Sequence, residues 1–414
     1  MSTLKLSGLT SGSSIIKAPD SGSTGVTFTM PAAAGTLLTT TGSAANLTAI
    51  PAAQITGALP AISAASLTNV PKDTTVGGRK NMIINGAMQV AQRATSVTGY
   101  TAGGYYTCDR WFHDKDGSTG TFTMTQEADA PDGFKNSLKV NCTTAGSSGA
   151  YNAIQTRLES QDTAHLAYGT SSAKAITLSF WVKVSQTGNQ QMNLIHHADA
   201  GSRQISFIYT INQANTWEKK TVTFAGDTTR VGDDDNTNGF YLEWFLSSYS
   251  GRTGSSVLTS WGSYTNTARF EGATISIGDS TSDTWQITGV QLEVGSTATD
   301  FEYRSYGEEL ALCQRYYSRS TTLTGLNGAA IFHAFSTTEA WGGLQFPVTM
   351  RTTPTITIYN NAGTSGGVHR IGGPDLTSVA VEAINTTGFS KITKSGALLA
   401  DDIYGCTHTA DAEL

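Results

Sequence analysis

The chain has 414 residues, 14% of them charged, with 26 Lys and Arg against 32 Asp and Glu for a formal net charge of −6. An ordinary soluble domain carries about 25% charged residues; here Gly, Ser and Thr fill the difference, as in turn-rich β folds. No basic patch suited to a phosphate backbone is visible, which argues against nucleic acid as a ligand, and the length leaves room for two or three domains with a sizeable core.

The first segment is the least ordinary. MSTLKLSGLT lacks the uninterrupted apolar stretch of a secretory signal, and no run approaches transmembrane length. From Ser21 to Pro71 there is no Asp, Glu, Lys or Arg, and NLTAIPAAQITGALPAISAASLTNVP (46–71) is rich in Ala, Leu and Ile with prolines at Pro51, Pro60 and Pro71. Proline at that density excludes a long helix and any central strand. A disordered linker usually stays soluble through charge and low hydrophobicity, and this segment has neither. Several copies wound about one axis would bury its aliphatic side chains. Residues 1–78 are therefore expected to be an extended, intertwined oligomeric segment, with a flexible linker as the alternative.

Residues 79–304 hold six of the seven tryptophans and nearly all the strong strand signals. AITLSFWVKVS (175–185) alternates Leu178, Phe180, Val182 and Val184 with Ser179, Trp181, Lys183 and Ser185, a period of two with one face buried. RQISFIYTI (203–211), WEKKTVTFAG (217–226), GFYLEWFLSS (239–248), ATISIG (273–278) and TWQITGVQLEV (284–294) read the same way. Short strands between Gly, Ser, Asn and Asp turns predict an antiparallel sandwich. SYGEELALCQRYYSR (305–319) is the one convincing helix: Ser305 and Glu308 are spaced as a capping box, Glu308 and Glu309 lie at its amino end, and Arg315 and Arg319 at its carboxyl end. Tyr306, Leu310, Cys313 and Tyr317 fall on one packing stripe. Residues 320–414 return to short strands, GGLQFPV and TPTITIYN among them, and predict a small second β domain. The class is all-β.

Motifs for chemistry are scarce. Cys108, Cys142, Cys313 and Cys406 lie far apart without a CxxC pair, which suggests neither a zinc site nor a disulfide framework but reduced, buried thiols in a protein assembled in a reducing cytoplasm. GTSGG (363–367) fits G-x-S-x-G, with His369 and Asp375 nearby, but VHRIGGPDL follows where a nucleophile elbow needs a helix, so a glycine turn is expected. DDNTNG (234–239) fits half a calcium loop, yet Phe245 occupies the twelfth position, where a bidentate Glu is needed; a polar hairpin loop is expected. His196 and His197 are adjacent and would point to opposite faces of a strand, a poor arrangement for one metal. No catalytic residue, metal site or cofactor is predicted. TGYTAGGYYTCDRW (98–111) and SSYSGRTGSSVLTSWGSYTNT (247–267) place Tyr100, Tyr105, Tyr106, Tyr249, Trp261 and Tyr264 among Gly, Ser and Thr. Rings beside small hydrogen-bonding residues suit recognition of sugar or protein; the alternative is that they pin long loops.

KNMIINGAMQVAQR (80–93), DRW (109–111) and GVQLEVGSTATDFEYRSYGEELALCQRYY (289–317) together resemble a recurrent module of bacteriophage tail fibre and virion structural proteins. The strand order, with LSFWVKV and TWQITGVQLE, is similar to jelly-roll carbohydrate-binding modules, and GVTFTMPAAAGTLLTTTG (25–42) resembles fibre attachment and shaft segments. The likeness covers most of residues 1–318. It implies a homotrimeric fibre in the virion: residues 1–78 for attachment to phage tail or baseplate proteins and for the shaft, a jelly roll over 79–304, a connecting helix over 305–319 and a distal β tip over 320–414. It implies recognition of a host surface polysaccharide or lipopolysaccharide without catalysis or membrane insertion. Such jelly rolls often hold calcium through acidic residues on the first and last strands, and INGAMQV offers no acid at the first position. No binding residue carries over by motif. Two other classes remain: a purely structural virion component, and a depolymerase, although no repeat of a β-helix appears.

Overall fold

The computed structural model describes residues 4–6, 14–16, 79–115, 120–146, 151–248, 251–326, 328–396 and 398–414. The chain divides into two compact units, Met1–Val70 and Pro71–Leu414. In the first, strands β1 (Leu4–Leu6) and β2 (Ser14–Ile16) pair antiparallel with Leu4 opposite Ile16. The segment 46–71 that the sequence reading assigns to a shared shaft lies outside the described residues.

The second unit opens with an antiparallel sandwich. Its strands are β3 (Ser96–Tyr100), β4 (Gly104–Tyr105), β5 (Phe112–Lys115), β6 (Thr121–Glu127), β7 (Ser137–Thr144), β8 (Tyr151–Glu159) and β9 (Ile176–Val184). They are followed by β10 (Gly188–His196), β11 (Arg203–Ile211), β12 (Glu218–Phe224), β13 (Asn238–Ser248), β14 (Gly262–Ser263) and β15 (Thr284–Val294). One sheet has seven strands in the order β14-β11-β10-β13-β8-β5-β4, and the other six in the order β12-β9-β15-β7-β6-β3. The chain changes sheet from β8 to β9, β9 to β10, β11 to β12 and β12 to β13, so the sandwich is jelly-roll-like and not a meander.

The period-two pattern of β9 does what it predicts: Leu178, Phe180, Val182 and Val184 are fully buried. They join Leu242, Trp244 and Leu246 of β13 in one apolar cluster, where Phe180 meets Trp244 edge-on at 5.6 Å and Trp111 lies 5.6 Å from Trp244. Truncating a buried Phe such as Phe180 to Ala costs about 3–5 kcal/mol. The strands expected over 203–211, 217–226, 239–248 and 284–294 are all present. The one expected over 273–278 is not. Ile275 and Ile277 are buried, but the Asp283 carboxylate accepts from the backbone N–H of Gly278, Asp279 and Ser280, and this local turn replaces a ladder. The loop over 234–239 is a crossover between sheets and not a hairpin, because β12 and β13 lie in different sheets.

Residues 81–90, 109–111 and 290–309 form a clasp. Residues 81–86 run beside β15, with Met82 N–H donating to Leu292 O and Val290 N–H to Gly86 O, both at 2.9 Å. Gly86 is needed there: a Cβ would stand 2.1 Å from Val290 O. Asn85 Nδ2 donates to Val90 O and Asp109 O, while Trp111 Nε1 donates to Asn85 O. Glu309 accepts from Asn85 N at 2.5 Å and pairs with Arg304. These residues tie the start of the sandwich to its last strand and to the helix that follows.

That helix, α1, spans Tyr306–Gln314 and carries the expected capping box between Ser305 and Glu308. It ends earlier than its sequence suggests. Tyr317–Arg319 becomes strand β16, pairing with the last strand of the chain, so tertiary pairing overrides local propensity. The buried residues over 305–319 are Glu309, Cys313, Tyr316, Tyr317 and Ser318; of the expected stripe, Cys313 and Tyr317 are thus buried, Leu310 is half-buried and Tyr306 is 58% exposed. Arg315 pairs with Glu159 of the sandwich.

The remaining strands are β17 (Ala330–Ala334), β18 (Glu339–Gln345), β19 (Thr355–Tyr359), β20 (Val368–Arg370), β21 (Asp375–Leu376), β22 (Ala380–Asn385), β23 (Gly388–Thr393) and β24 (Ile403–Asp411). They form an antiparallel sheet in which β24 pairs with β16, β17, β19 and β20. Phe332, Phe389, Ile392 and Tyr404 lie in an apolar cluster separate from that of the sandwich. All four cysteines are free and buried.

Candidate functional site

With Leu242, Trp244 and Leu246 turned to the core, alternation sends Tyr241, Glu243 and Phe245 to the outer face of the seven-stranded sheet. Strand register then builds a polar row across that face. Ser206 stands opposite Asn193, Asn193 opposite Glu243, Glu243 opposite Gln155 and Gln155 opposite Phe112. Hydrogen bonds run along it: Ser206 Oγ donates to Asn193 Oδ1 at 2.7 Å, Asn193 Nδ2 to Glu243 Oε1 at 3.1 Å, and Gln155 Nε2 to both Glu243 Oε2 and Asp114 Oδ2 at 2.8 Å.

Glu243 is fully buried because Arg269 reaches down onto it, Nε to Oε1 at 2.9 Å and Nη2 to Oε2. Burial works to lower the Arg269 pKa, but the Glu243 carboxylate outweighs it and raises the guanidinium above its ordinary value. The same segment roofs the β10 end of the face, where Gln191 donates to Ala268 O and accepts from Gly272 N. Toward β5 the roof stops. Phe112, Asp114, Tyr151, Arg157 and Tyr241 are half-buried there. Burial, then the charge of Glu243, raises the pKa of Asp114; the same two causes raise that of Tyr241. The opening thus presents ring faces, a phenol hydroxyl, the Arg157 guanidinium held by Leu414 O and Gln155 Oε1, and the Asp114 carboxylate held by Tyr151 and Gln155, above a polar floor. That mixture suits a hydroxylated ligand with apolar ring faces.

Of the six aromatic residues singled out in the sequence, the five among the described residues do not converge. Tyr264 stands beside this face, 5.7 Å from the Arg269 guanidinium, with its hydroxyl donating to Asn266 Oδ1 at 2.8 Å. Tyr105 borders the opposite edge, 5.0 Å from Phe112, and donates to Leu414 O at 3.0 Å. Tyr100 is not a loop residue. It ends β3, is 8% exposed and shares a 2.6 Å hydrogen bond with His113 Nδ1. Tyr106 stacks on it at 3.9 Å and donates to Ala102 O. Trp261 lies elsewhere, edge-on to Tyr168 at 5.9 Å, its indole N–H held by Ala225 O at 2.6 Å. Tyr249 lies outside the described residues. Asn193, Gln155, Glu243 and Arg269 were missed, although a Glu in the apolar run YLEWFL and an Asn in QQMNLI were visible signals.

The remaining motifs have structural explanations. His369 Nδ1 meets Asp375 Oδ1 at 2.7 Å as a cross-strand pair, while Ser365 bridges to Tyr359 and, among the described residues, makes no hydrogen bond to His369. A strand follows GTSGG, not a helix. Asp235 caps its own turn by accepting from Thr237 N and Oγ1. His196 is buried against Asp227 at 3.3 Å. Among the described residues, no group of three or more His, Cys, Asp or Glu gathers in a way that could hold a metal ion.

No protein-family model matches the chain, and no curated protein matches it. Among solved structures, it is similar to the enzymatically active domain of tailspike protein 4 from bacteriophage CBA120, at 10% identity and a TM-score of 0.27, over 52% of this chain and 21% of that one. The chain thus spans about a fifth of that tailspike's length. It is also similar to a protein named as sugar-binding from Bacteroides thetaiotaomicron, at 13% identity and a TM-score of 0.28, over 52% of this chain and 100% of that one. A third likeness is to a family 11 carbohydrate-binding module from Clostridium thermocellum, solved with a mixed-linked tetrasaccharide: 10% identity, a TM-score of 0.26, 49% and 98% coverage.

Proposed function

We propose that the chain is a bacteriophage tail fibre protein, a homotrimeric virion appendage that binds a bacterial surface polysaccharide or lipopolysaccharide. The observation that carries the binding is the outer face of the seven-stranded sheet. There Gln155, Glu243 and Asn193 form a pre-organised floor, with Phe112, Arg157 and Tyr241 open above it. Pre-organisation matters because a sugar replaces one set of hydrogen bonds to water by another, and only a floor already in place keeps the ordering cost low. A weak site repeated on three chains gains avidity without covalent chemistry.

The fibre assignment rests on the resemblance of residues 80–93, 109–111 and 289–317 to tail fibre modules. The uncharged segment 21–71 supports association of several copies, and so does the last sheet. His333 of β17 stands opposite both Trp341 and Ile403, and Ile331 opposite Gly343 and Gly405, so a flat apolar strip crosses three strands. Trp341, Ile331 and Ile403 are between 43% and 48% exposed, and Phe335 next to them 68%. An apolar strip of this kind on a soluble protein is a contact surface, and a second copy of the chain is the occupant we assign to it. Residues 1–78 would attach to the tail or baseplate.

The reading is binding without catalysis: both Glu243 oxygens accept from Arg269, Asn193 and Gln155, and both Asp114 oxygens from Tyr151 and Gln155. Purified full-length protein should adsorb to cells of a susceptible bacterium, soluble surface polysaccharide should compete, and no new reducing ends should form. Failure to adsorb to any such strain would leave a structural virion component; new reducing ends would make the protein a depolymerase.

A further inference from the structure

A second polar groove, of about 530 Å³, lies on the three-stranded ribbon β16-β24-β19. Register arranges its floor as two cross-strand rows. Arg319, Thr409 and Thr357 form one; Tyr317, Asp411 and Thr355 form the other. Tyr359 extends the floor toward one end, and Arg93 closes the other, stacked 3.6 Å over the Tyr317 ring. The Thr355, Thr357 and Thr409 hydroxyls make no side-chain hydrogen bond among the described residues, so three donor-acceptor groups on adjacent strands face the groove unpartnered.

The charges are unevenly balanced. Arg93 is neutralised by Asp411 at 3.0 Å and Glu413 at 3.3 Å. Arg319 forms no ion pair among the described residues; Asp411, in the next row of the same groove, is paired with Arg93. The Arg319 Nε donates to Ser320 O and its Nη1 to Gln92 O, both at 3.0 Å, which holds the guanidinium in place and leaves Nη2 uncommitted. A fixed guanidinium with free N–H groups beside a bank of hydroxyls matches a ligand that carries one carboxylate and several hydroxyls.

We propose that this groove is a binding site for an acidic saccharide of the uronic or sialic type, its carboxylate on Arg319 and its hydroxyls on Thr357 and Thr409, with the Tyr317 and Tyr359 rings beside its apolar face. The site stands on strands of the last sheet and does not require the sandwich face to bind anything.

Saturation-transfer NMR on the full-length protein tests it, with galacturonate, glucuronate and N-acetylneuraminate as probes and galactose as the neutral control. At least one acidic sugar should bind with a Kd of about 1–10 mM. Arg319→Gln should weaken that binding about tenfold or more, the value of one charge-assisted pair. Because Arg319 also braces backbone carbonyls, Thr357→Val serves as a second variant that removes one hydroxyl at constant shape, and it should weaken binding several-fold. Lys219→Ala, an exposed change on β12 outside both this groove and the sandwich face, should leave it unchanged. The proposal is overturned if no acidic sugar binds below about 20 mM, if galactose binds equally well, or if both groove variants bind as wild type does.

Discussion

Replacing Glu243 by Gln tests whether the polar floor is held by its buried ion pair. The wild-type carboxylate is fully buried and accepts four hydrogen bonds, two of them from Arg269, which is itself only 4% exposed. The amide keeps the shape and one acceptor oxygen but removes the charge. Arg269 is then left with Asp114, 3.9 Å away, as its remaining carboxylate. Breaking a buried pair from one side costs about 3–5 kcal/mol. Asp114 ionises more readily once the repulsion from Glu243 is gone, so the lower end, about 3 kcal/mol, is the expected loss. Urea unfolding followed through tryptophan fluorescence measures it, since Trp244 is the next residue in the same strand. The double variant Glu243→Leu with Arg269→Met should lose less than the single one, because no unpaired charge stays buried. A loss below about 1 kcal/mol in Glu243→Gln would refute the reasoning, since it would place the pair in the range of solvent-screened surface contacts.

Three further outcomes follow from the same physics. Burial pushes the Asp109 pKa up from 3.8 to about 6. The proton is therefore held more tightly in the folded chain, and the associated stability is present below pH 3.8 and lost as pH rises through 6; relative to Asp109→Asn, wild type should lose about 3 kcal/mol between pH 4 and 7 in urea titrations. Burial pulls His113 down from 6.5 to about 4, so its stability is present above pH 6.5 and lost as pH falls through 4. Its imidazole resonances should stay those of the neutral ring until about pH 4, and titration near 6.5 would contradict the burial argument. If copies meet on the strip as proposed, the paired change Phe335→Ser and Trp341→Ser should lower the temperature at which the native mass by light scattering falls from the proposed three times the 43.5 kDa chain; an unchanged temperature would mean that the strip is not where copies meet.

How much of this was legible in the sequence depends on which force decided each element. Strand β9 was readable because Leu178, Phe180, Val182 and Val184 alternate toward the core, and the span of β15 matched the expected range from Thr284 to Val294, although both of its faces are buried. The capping box at Ser305 was readable because it is a local interaction. Where a distant partner decided, the sequence was silent: Tyr317–Arg319 left the helix to pair with β24, about ninety residues later, and Ile275 and Ile277 were buried by a turn around Asp283 and not by a ladder. The site was the hardest part. Loop position was used as the guide to exposure, and it failed for Tyr100, which register and stacking carry inside. The row of Ser206, Asn193, Glu243 and Gln155 is assembled only by the register of four strands, and no local pattern announces it.

The central claim is that the outer face of the seven-stranded sheet holds a saccharide. Its most direct test is a microarray of bacterial surface glycans probed with the full-length protein, side by side with Tyr241→Ala and Arg157→Gln. The account predicts that wild type retains a defined set of glycans and that both variants lose it while keeping the wild-type circular dichroism. Retention of the same glycans by both variants, or of no glycan by wild type, would contradict it.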